Sequence, residues 1–195
     1  ISLDHVLQAW ESRVTTTAFD TATVTQNTTL AGTQQWSDYT NSDPITDIET
    51  AIQTIFAATG LVAGEAAGYD LCCVIGEQVW RKLKWHPMLQ SAMAYTRDRF
   101  LTEEDMMRFF GFTQVRVAHS LKNSAKDGQT ATLARYVGKD MLVFYRQKGT
   151  ITPESATFAA TFVEYDVTTF VYPDDQHNSD IYRVAHSVTS NVLSA

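Results

Sequence analysis

Apolar residues recur at a helical spacing in some parts of this chain and at a strand spacing in others, which predicts an α+β fold. The best-defined helix runs from Asp43 to Gly60, because Asp43 can cap it, Pro44 suits its first turn and Gly60 suits its end. The apolar stripe of this helix contains Ile45, Ile48, Ile52, Ile55 and Phe56. We expect Ile48, Ile52 and Ile55 to anchor the helix to the C-terminal strands.

Shorter elements are expected on both sides of this helix. They are helices over 4–14, 77–84, 88–95 and 102–110, and strands over 69–75, 115–117, 130–137, 141–146, 157–172 and 181–193. The strand over 157–172 is long enough that we expect it to bend once. Gly138-Lys139-Asp140 has the composition of a hairpin turn between the strands on either side of it. The threonine-rich stretch 15–40 predicts extended segments and loop, since a branched side chain disfavours a helix.

The net charge of −7 is distributed unevenly along the chain. Residues 1–60 hold seven acidic residues and one basic residue, residues 61–150 hold nine and 13, and residues 151–195 hold six and one. The pattern predicts two substructures, one built by both ends of the chain and one by the basic middle. The alternative is that faces of opposite charge meet between neighbouring subunits. Non-specific nucleic-acid binding by the whole chain is disfavoured, because phosphate contacts need a dense basic surface.

The two cysteines of the chain, Cys72 and Cys73, are adjacent within an apolar run. Neighbouring cysteines rarely meet disulfide geometry, and two thiols alone make a poor zinc site. We therefore predict buried, inert thiols, which fits a reducing cytoplasm. The alternative is a nucleophile and base formed by one of these thiols with His119 or His186.

Other recognisable chemistry is absent from the sequence. It contains no glycine-rich nucleotide loop, no HExxH and no GxSxG motif. Asp174, Asp175 and Asp180 are candidates for a cation site, but three acids in a polar turn are usually solvated. No apolar run approaches the roughly 20 residues that span a bilayer, and residues 1–10 do not have the pattern of a secretory signal. We predict no catalytic, cofactor-binding or metal-binding residues.

A series of short motifs follows one another between residues 4 and 193. They are Trp36-Ser37-Asp38, Ser42-Asp43-Pro44-Ile45, Thr59-Gly60, Leu71 to Gly76, His86-Pro87, Thr102 to Phe110-Gly111, Val115 to Val117, Gly138-Lys139-Asp140 before Met141 to Tyr145, and Tyr172 to Asp180 before Ile181 to Val188. In this order they resemble the major capsid proteins of tailed bacteriophages of the Hong Kong 97 type. That family often has Pro-Asn-Thr before its central strand, where this chain has Gly68-Tyr69-Asp70.

The resemblance implies the phage major-capsid fold, with a long spine helix, a peripheral β-sheet and a mixed α/β axial domain. The helix 43–60 would be the spine helix. Residues 1–60 and 151–195 would form the peripheral domain with this helix, and residues 61–150 the axial domain. The family's amino-terminal arm and extended β-hairpin loop have no counterpart before residue 4, so we expect an amino-terminally truncated protein.

The resemblance also implies a function as a structural coat protein of the icosahedral shell of a tailed phage or prophage, and not as an enzyme. The implied partners are further copies of the chain in hexamers and pentamers, and in the full-length form a scaffold protein, the portal and packaged DNA. No membrane or small-molecule substrate is expected. The implied location is the virion, or the bacterial host cytoplasm before assembly. Two alternatives stay open: a small cytoplasmic hydrolase or transferase with an unrecognised Cys/His site, and an encapsulin-like compartment shell protein.

Overall fold

The computed structural model describes residues 3–61, 68–93, 101–125, 128–149, 157–174, 176–177 and 179–193. Its helices are α1 (Leu3–Ala18), α2 (Pro44–Thr59), α3 (Glu77–Leu83), α4 (Pro87–Ala92) and α5 (Glu103–Phe110). Its strands are β1 (Tyr69–Gly76), β2 (Gln114–Ala118), β3 (Leu121–Asn123), β4 (Leu133–Arg135), β5 (Met141–Gln147), β6 (Ala159–Asp174) and β7 (Ser179–Val192). The described chain is therefore mixed α/β with small sheets. None of these helices is both long and apolar enough to cross a membrane.

The hydrophobic core lies around a sheet with the strand order β2-β1-β5. β1 runs parallel to β2 and antiparallel to β5, so it has a neighbour on both edges. Six of its eight residues are buried, which fits its nearly continuous apolar sequence. Helices α3, α4 and α5 supply further residues of this core, which include Trp80, Leu83, Leu89, Met106 and Phe110.

Helix α2 has the ends that the sequence predicts, but its apolar stripe packs elsewhere. Asp43 accepts a hydrogen bond from the Thr46 backbone N–H at 3.0 Å, and Gly60 ends the helix with a φ of 67°. Ile48 is buried in the core around β1, Ile45, Ile52 and Ile55 pack against this core, and Phe56 is exposed. The main contacts of α2 are with α4 and β5. The expected anchoring to the C-terminal strands is therefore wrong. The physical reason is that β5 and α4 present the apolar surface of the core, whereas α1 covers part of the C-terminal strands.

The predicted hairpin around Gly138-Lys139-Asp140 is also wrong. β5 pairs with β1, and β4 pairs with β3 in a separate two-stranded sheet. The segment instead closes on Gly76, whose backbone N–H donates to the Asp140 carbonyl at 2.9 Å. A Cβ atom on Gly76 would lie 2.2 Å from the Gly138 carbonyl oxygen, so this approach requires glycine at residue 76.

Helix α1 continues further into the threonine-rich stretch than predicted. The hydroxyls of Thr15, Thr16 and Thr17 donate to the carbonyls four residues earlier, at 2.7, 2.7 and 3.0 Å. These bonds satisfy the threonine side chains without leaving the helix. Beyond α1 the stretch is mostly turns and irregular chain, as expected, and Trp36 ties it to α2 by donating to Asp47 at 2.8 Å.

The remaining elements agree with the sequence to different degrees. The predicted strand at 69–75 and the helices at 77–84 and 102–110 are confirmed to within one residue. The helix predicted over 88–95 begins at Pro87 and ends at Ala92, and residues 94 and 95 lie outside the described part of the chain. The strand predicted over 130–137 is only three residues long in the structure.

The C-terminal strands β6 and β7 form a long two-stranded antiparallel ribbon. β6 carries register irregularities between Val163 and Tyr165 and between Tyr165 and Thr168, so it has two irregular points where one bend was expected. The base of the ribbon joins the central sheet, because the Phe158 backbone N–H donates to the Tyr145 carbonyl at 3.1 Å. Helix α1 packs on β7 through Trp10, whose ring meets that of His186 edge-on at 5.7 Å.

Candidate functional site

Both thiols are buried on β1, and Cys73 belongs to the hydrophobic core. Cys72 and Cys73 are 4% and 1% exposed on β1. Burial raises the pKa of both thiols above their ordinary value. A thiolate nucleophile needs the opposite, namely exposure and a lowered pKa. Neither cysteine is therefore suited to nucleophilic chemistry in this conformation.

The histidines considered as bases for these thiols have other surroundings. His119 is exposed in the loop after β2. His186 lies on β7, where its ring contacts Trp10 and its Nε2 lies 3.9 Å from an Asp166 carboxylate oxygen. Within the part of the chain that the structure describes, neither histidine forms a hydrogen bond or ion pair with a cysteine. The Cys/His site has no geometric support here.

A serine–histidine contact occurs at a place that the sequence does not indicate. The Ser42 Oγ lies 3.0 Å from the His86 Nε2, and both side chains are buried. The Met88 backbone N–H donates to the His86 Nδ1 at 3.3 Å, so the proton of the neutral ring is on Nε2. The Ser42 hydroxyl in turn donates to the Asp38 carbonyl at 2.6 Å.

These hydrogen bonds stabilise the fold and do not activate the Ser42 hydroxyl as a nucleophile. The ring nitrogen that faces Ser42 is a donor, so it cannot accept the hydroxyl proton. Burial lowers the pKa of His86, against a smaller opposite effect of Asp43, which favours the neutral ring. The contact joins the start of α2 to the start of α4 across 44 residues of sequence, and that separation is why no local motif reveals it.

In the acidic turn considered as a cation site, groups of the protein already contact the Asp174 carboxylate. The Asp174 carboxylate accepts from the Gln176 backbone N–H at 3.1 Å and lies 2.7 Å from the His177 Nδ1. Asp175 lies outside the described residues. Over the part of the chain that the structure describes, no group of three or more His, Cys, Asp or Glu side chains is arranged to hold a metal ion.

A buried carboxylate, that of Asp70, lies near the start of β1 in the central sheet. Asp70 is 4% exposed and lies 3.0 Å from an Arg146 nitrogen and 3.3 Å from the Lys148 amino group. Burial alone would raise the pKa of Asp70, but the bonds from both cations outweigh it and the pKa is lowered. The carboxylate is therefore charged and neutralised, and it fixes β1 to β5.

Among the described residues, several large and exposed apolar side chains lie together on the ribbon of β6 and β7. Trp10 of α1 donates to the Ser190 Oγ at 3.4 Å and also contacts His186, so α1 lies on the face of β7 that carries even-numbered residues. The opposite face carries Ile181 and the β6 residues that pair with odd-numbered positions of β7. Its large apolar side chains are Phe162, Tyr165, Phe170, Tyr172 and Ile181, between 41% and 57% exposed. We call these five residues the aromatic face.

A second exposed surface lies where α3 meets α4. Trp85 and Met88 are 57% and 40% exposed, next to Lys82 and Lys84. Residues 78–93 contain no acidic side chain. We call Lys82, Lys84, Trp85 and Met88 the α3–α4 patch. Large apolar residues at both odd and even positions of the strand predicted over 157–172 are a sequence signal of a further contact.

Comparison with protein-family models and with curated proteins found no match. Among solved structures, the chain is similar to a phage-related protein from Bordetella bronchiseptica RB50, with a TM-score of 0.81 and 22% sequence identity. The likeness covers 97% of this chain and 59% of that protein, so the chain spans about three fifths of its length. At this identity the comparison shows a shared fold. A protein with the same fold is phage-related, and the resemblance to phage proteins is supported to that extent.

Proposed function

We propose that this chain is a structural coat protein that assembles with further copies of itself into the shell of a tailed phage or prophage. The observation that carries the proposal is the aromatic face, because a soluble monomer rarely leaves a group of large apolar side chains on one face in contact with water. A two-stranded ribbon is itself only marginally stable without further packing. Contact with neighbouring subunits would cover this surface.

Three further observations support a shell subunit over an enzyme. Both thiols are buried with raised pKa values, and the His86 ring directs a proton towards Ser42. The chain shares its fold with a phage-related protein. The motif order quoted above resembles that of Hong Kong 97-type capsid proteins, so α2 would be the spine helix and β6–β7 part of the peripheral sheet.

The remaining parts of the proposal follow from that family. Residues 1–60 and 151–195 would form the peripheral domain and residues 61–150 the axial domain. The partners would be other copies in hexamers and pentamers, with scaffold protein, portal and packaged DNA. The protein would reside in the virion, and in the host cytoplasm before assembly.

Electron microscopy of the protein expressed from its entire open reading frame tests the proposal. We expect closed shells or capsomer-sized rings, from the chain alone or after co-expression with a phage scaffold protein. The test variant is Tyr172→Thr, Ile181→Thr, which removes two side chains of the aromatic face and should give fewer particles at equal soluble yield. A protein that stays monomeric at its highest soluble concentration, with and without the scaffold, would refute the capsid assignment.

A further inference from the structure

We propose that the aromatic face of the ribbon packs against the aromatic face of a second copy of this chain, with a two-fold axis at the Thr168–Ala185 pair. The inference rests on the proposed function in that both use the same surface. It goes further in naming the surface that covers the aromatic face and the register in which the two copies meet.

Five successive cross-strand pairs carry the aromatic face. β7 contributes its odd-numbered residues, and the register places one β6 residue opposite each of them. The pairs are Phe162–Thr189, Tyr165–Ser187, Thr168–Ala185, Phe170–Arg183 and Tyr172–Ile181. Successive pairs are two residues apart on β7, so they follow one another about every 7 Å along this strand. Helix α1 lies on the other side of the ribbon and leaves this face accessible.

The side chains of these pairs are arranged symmetrically about the middle pair. Thr168 and Ala185 form the smallest of the five pairs, whereas each of the two pairs on either side of them contains an aromatic side chain. A half turn about the middle pair therefore places aromatic pairs over aromatic pairs and the small pair over itself. A surface that matches itself in this way is what a two-fold contact between identical chains requires.

The charges of the face follow the same symmetry. Arg183 lies one pair from the middle, towards the tip of the ribbon. One pair from the middle towards the base, the Glu164 carboxylate accepts from the Ser187 hydroxyl at 2.7 Å, so this carboxylate lies on the same face. Asp166 and Asp180 lie on the face that α1 contacts. The half turn therefore brings Arg183 of each copy beside Glu164 of the other.

Both charges are available to a second copy. Arg183 and Glu164 are exposed, and neither forms an ion pair among the residues that the structure describes. They also determine the orientation of the contact. Two ribbons packed in the same direction would place Arg183 over Arg183 and Glu164 over Glu164, whereas the half turn places opposite charges together twice.

The apolar area of the face is sufficient for a weak, specific dimer. Its five large side chains are between 41% and 57% exposed. Because side chains of this size bury roughly 150–250 Å² each, the contact would remove about 500 Å² per copy and about 1,000 Å² in the dimer from water. This is near the lower limit of specific interfaces. We therefore expect a dissociation constant on the order of 10 μM.

Reversal of the two charges tests the inference. Arg183→Glu places two carboxylates together in both halves of the contact, and Glu164→Arg places two cations together. An equimolar mixture of the two variants restores both ion pairs, because one chain then carries two carboxylates and the other two cations. The matched control is Asp180→Arg, which changes the charge as Glu164→Arg does but on the opposite face of the ribbon.

Sedimentation velocity over a dilution series measures dimer formation, below the concentration at which larger particles appear. We expect each reversal alone to associate at least about tenfold more weakly than the natural chain, and the control to associate within about twofold of it. The mixture should form 1:1 dimers within about threefold of the natural affinity. Added salt should strengthen the association of each reversal variant alone, because it screens the repulsion.

A cysteine at residue 168 tests the position of the axis, since a residue on the axis meets its own copy. Packed sheets lie about 10 Å apart, which is further than a disulfide spans, so the reagent is a short bis-maleimide. We expect Thr168→Cys to give cross-linked dimers and Thr169→Cys, exposed on the opposite face, to give none. Cys72 and Cys73 are buried and should not react in the native protein.

Several results would overturn the inference. They are a reversal variant that associates like the natural chain, a mixture that stays as weak as its components, a natural chain that does not associate, and a Thr168→Cys chain that gives no cross-linked dimer. If Tyr172→Thr, Ile181→Thr abolished association while both reversals left it unchanged, the aromatic face would contact another surface, such as the α3–α4 patch.

The same variants separate this inference from the proposed function. Shells that form normally from Arg183→Glu would refute the two-fold contact and leave the coat function intact. A natural chain that dimerises through this face, yet forms no shells with or without a scaffold protein, would refute the coat function and leave the contact intact.

Discussion

The substitution Gly76→Ala tests the contact that closes the central sheet. An added Cβ would lie 2.2 Å from the Gly138 carbonyl oxygen, 3.2 Å from the Gly138 carbonyl carbon and 3.3 Å from the Asp140 carbonyl oxygen. All three atoms belong to the backbone, so no side chain can rotate away. The segment at residues 138–140 must move by roughly 1 Å to reach ordinary van der Waals distance.

The expected loss in the free energy of unfolding combines two destabilising effects and one small stabilising effect. Overpacking costs about 1–3 kcal/mol, and stretching the bond from the Gly76 N–H to the Asp140 carbonyl costs about 1–3 kcal/mol if the donor stays buried. The φ of Gly76 is −65°, which alanine adopts freely, so reduced freedom of the unfolded chain returns about 0.4–1 kcal/mol. We expect a net loss of about 2–4 kcal/mol.

Urea denaturation followed by tryptophan fluorescence measures this loss. At a slope of about 2 kcal/mol per molar urea, the midpoint should fall by about 1–2 M. Gly138→Ala is the matched control, because its Cβ meets only an Asp140 carboxylate oxygen at 3.6 Å. We expect its midpoint to stay within about 0.5 M of the natural chain's midpoint. Equal midpoints for the two variants would show that the close approach at Gly76 does not exist in solution.

Three further predictions concern the core. Because burial lowers the pKa of His86 below 6.5, the folded state binds fewer protons than the unfolded state, so stability should fall as pH drops below about 6.5. The denaturation midpoint measured across pH checks this, and His86→Gln should flatten the profile; an unchanged slope in that variant would assign the effect to another group. A thiol reagent should modify neither Cys72 nor Cys73 in the native protein and both after denaturation, whereas fast native labelling would revive the enzyme alternative. Ile48→Ala should cost about 2–5 kcal/mol and the half-buried Ile52→Ala clearly less, and equal midpoint shifts would contradict the observed packing of α2.

Local chemistry explains which elements the sequence predicts well. The ends of α2 depend on Asp43, Pro44 and Gly60, which act on their own neighbours in the chain. The Thr102–Asp105 capping box at the start of α5 is equally local. Such signals lie within a few residues of the feature that they determine, so a pattern in one sequence is enough to find them.

Pairing between distant segments was not predictable in the same way. β5 has Gly138-Lys139-Asp140 before it and resembles half of a hairpin, yet its partner is β1, with Gln147 opposite Tyr69. The choice depends on which neighbour buries the apolar residues of β5, and that surface is assembled from α2, α4 and β1 together. The Ser42–His86 contact depends on the same assembly. Neither has a local signal.

The structure separates residues that hold the chain folded from residues that remain available for contact. The core around β1 is closed by α2, α3, α4 and α5, and among the described residues the ribbon joins it near its base. Substitutions at Gly76 or Ile48 should therefore shift the denaturation midpoint, whereas substitutions on the aromatic face should change association and leave the midpoint nearly constant. If loss of Tyr172 and Ile181 instead lowered the midpoint as much as loss of Gly76, the aromatic face would be part of the folded core and the proposed coat function would lose its main support.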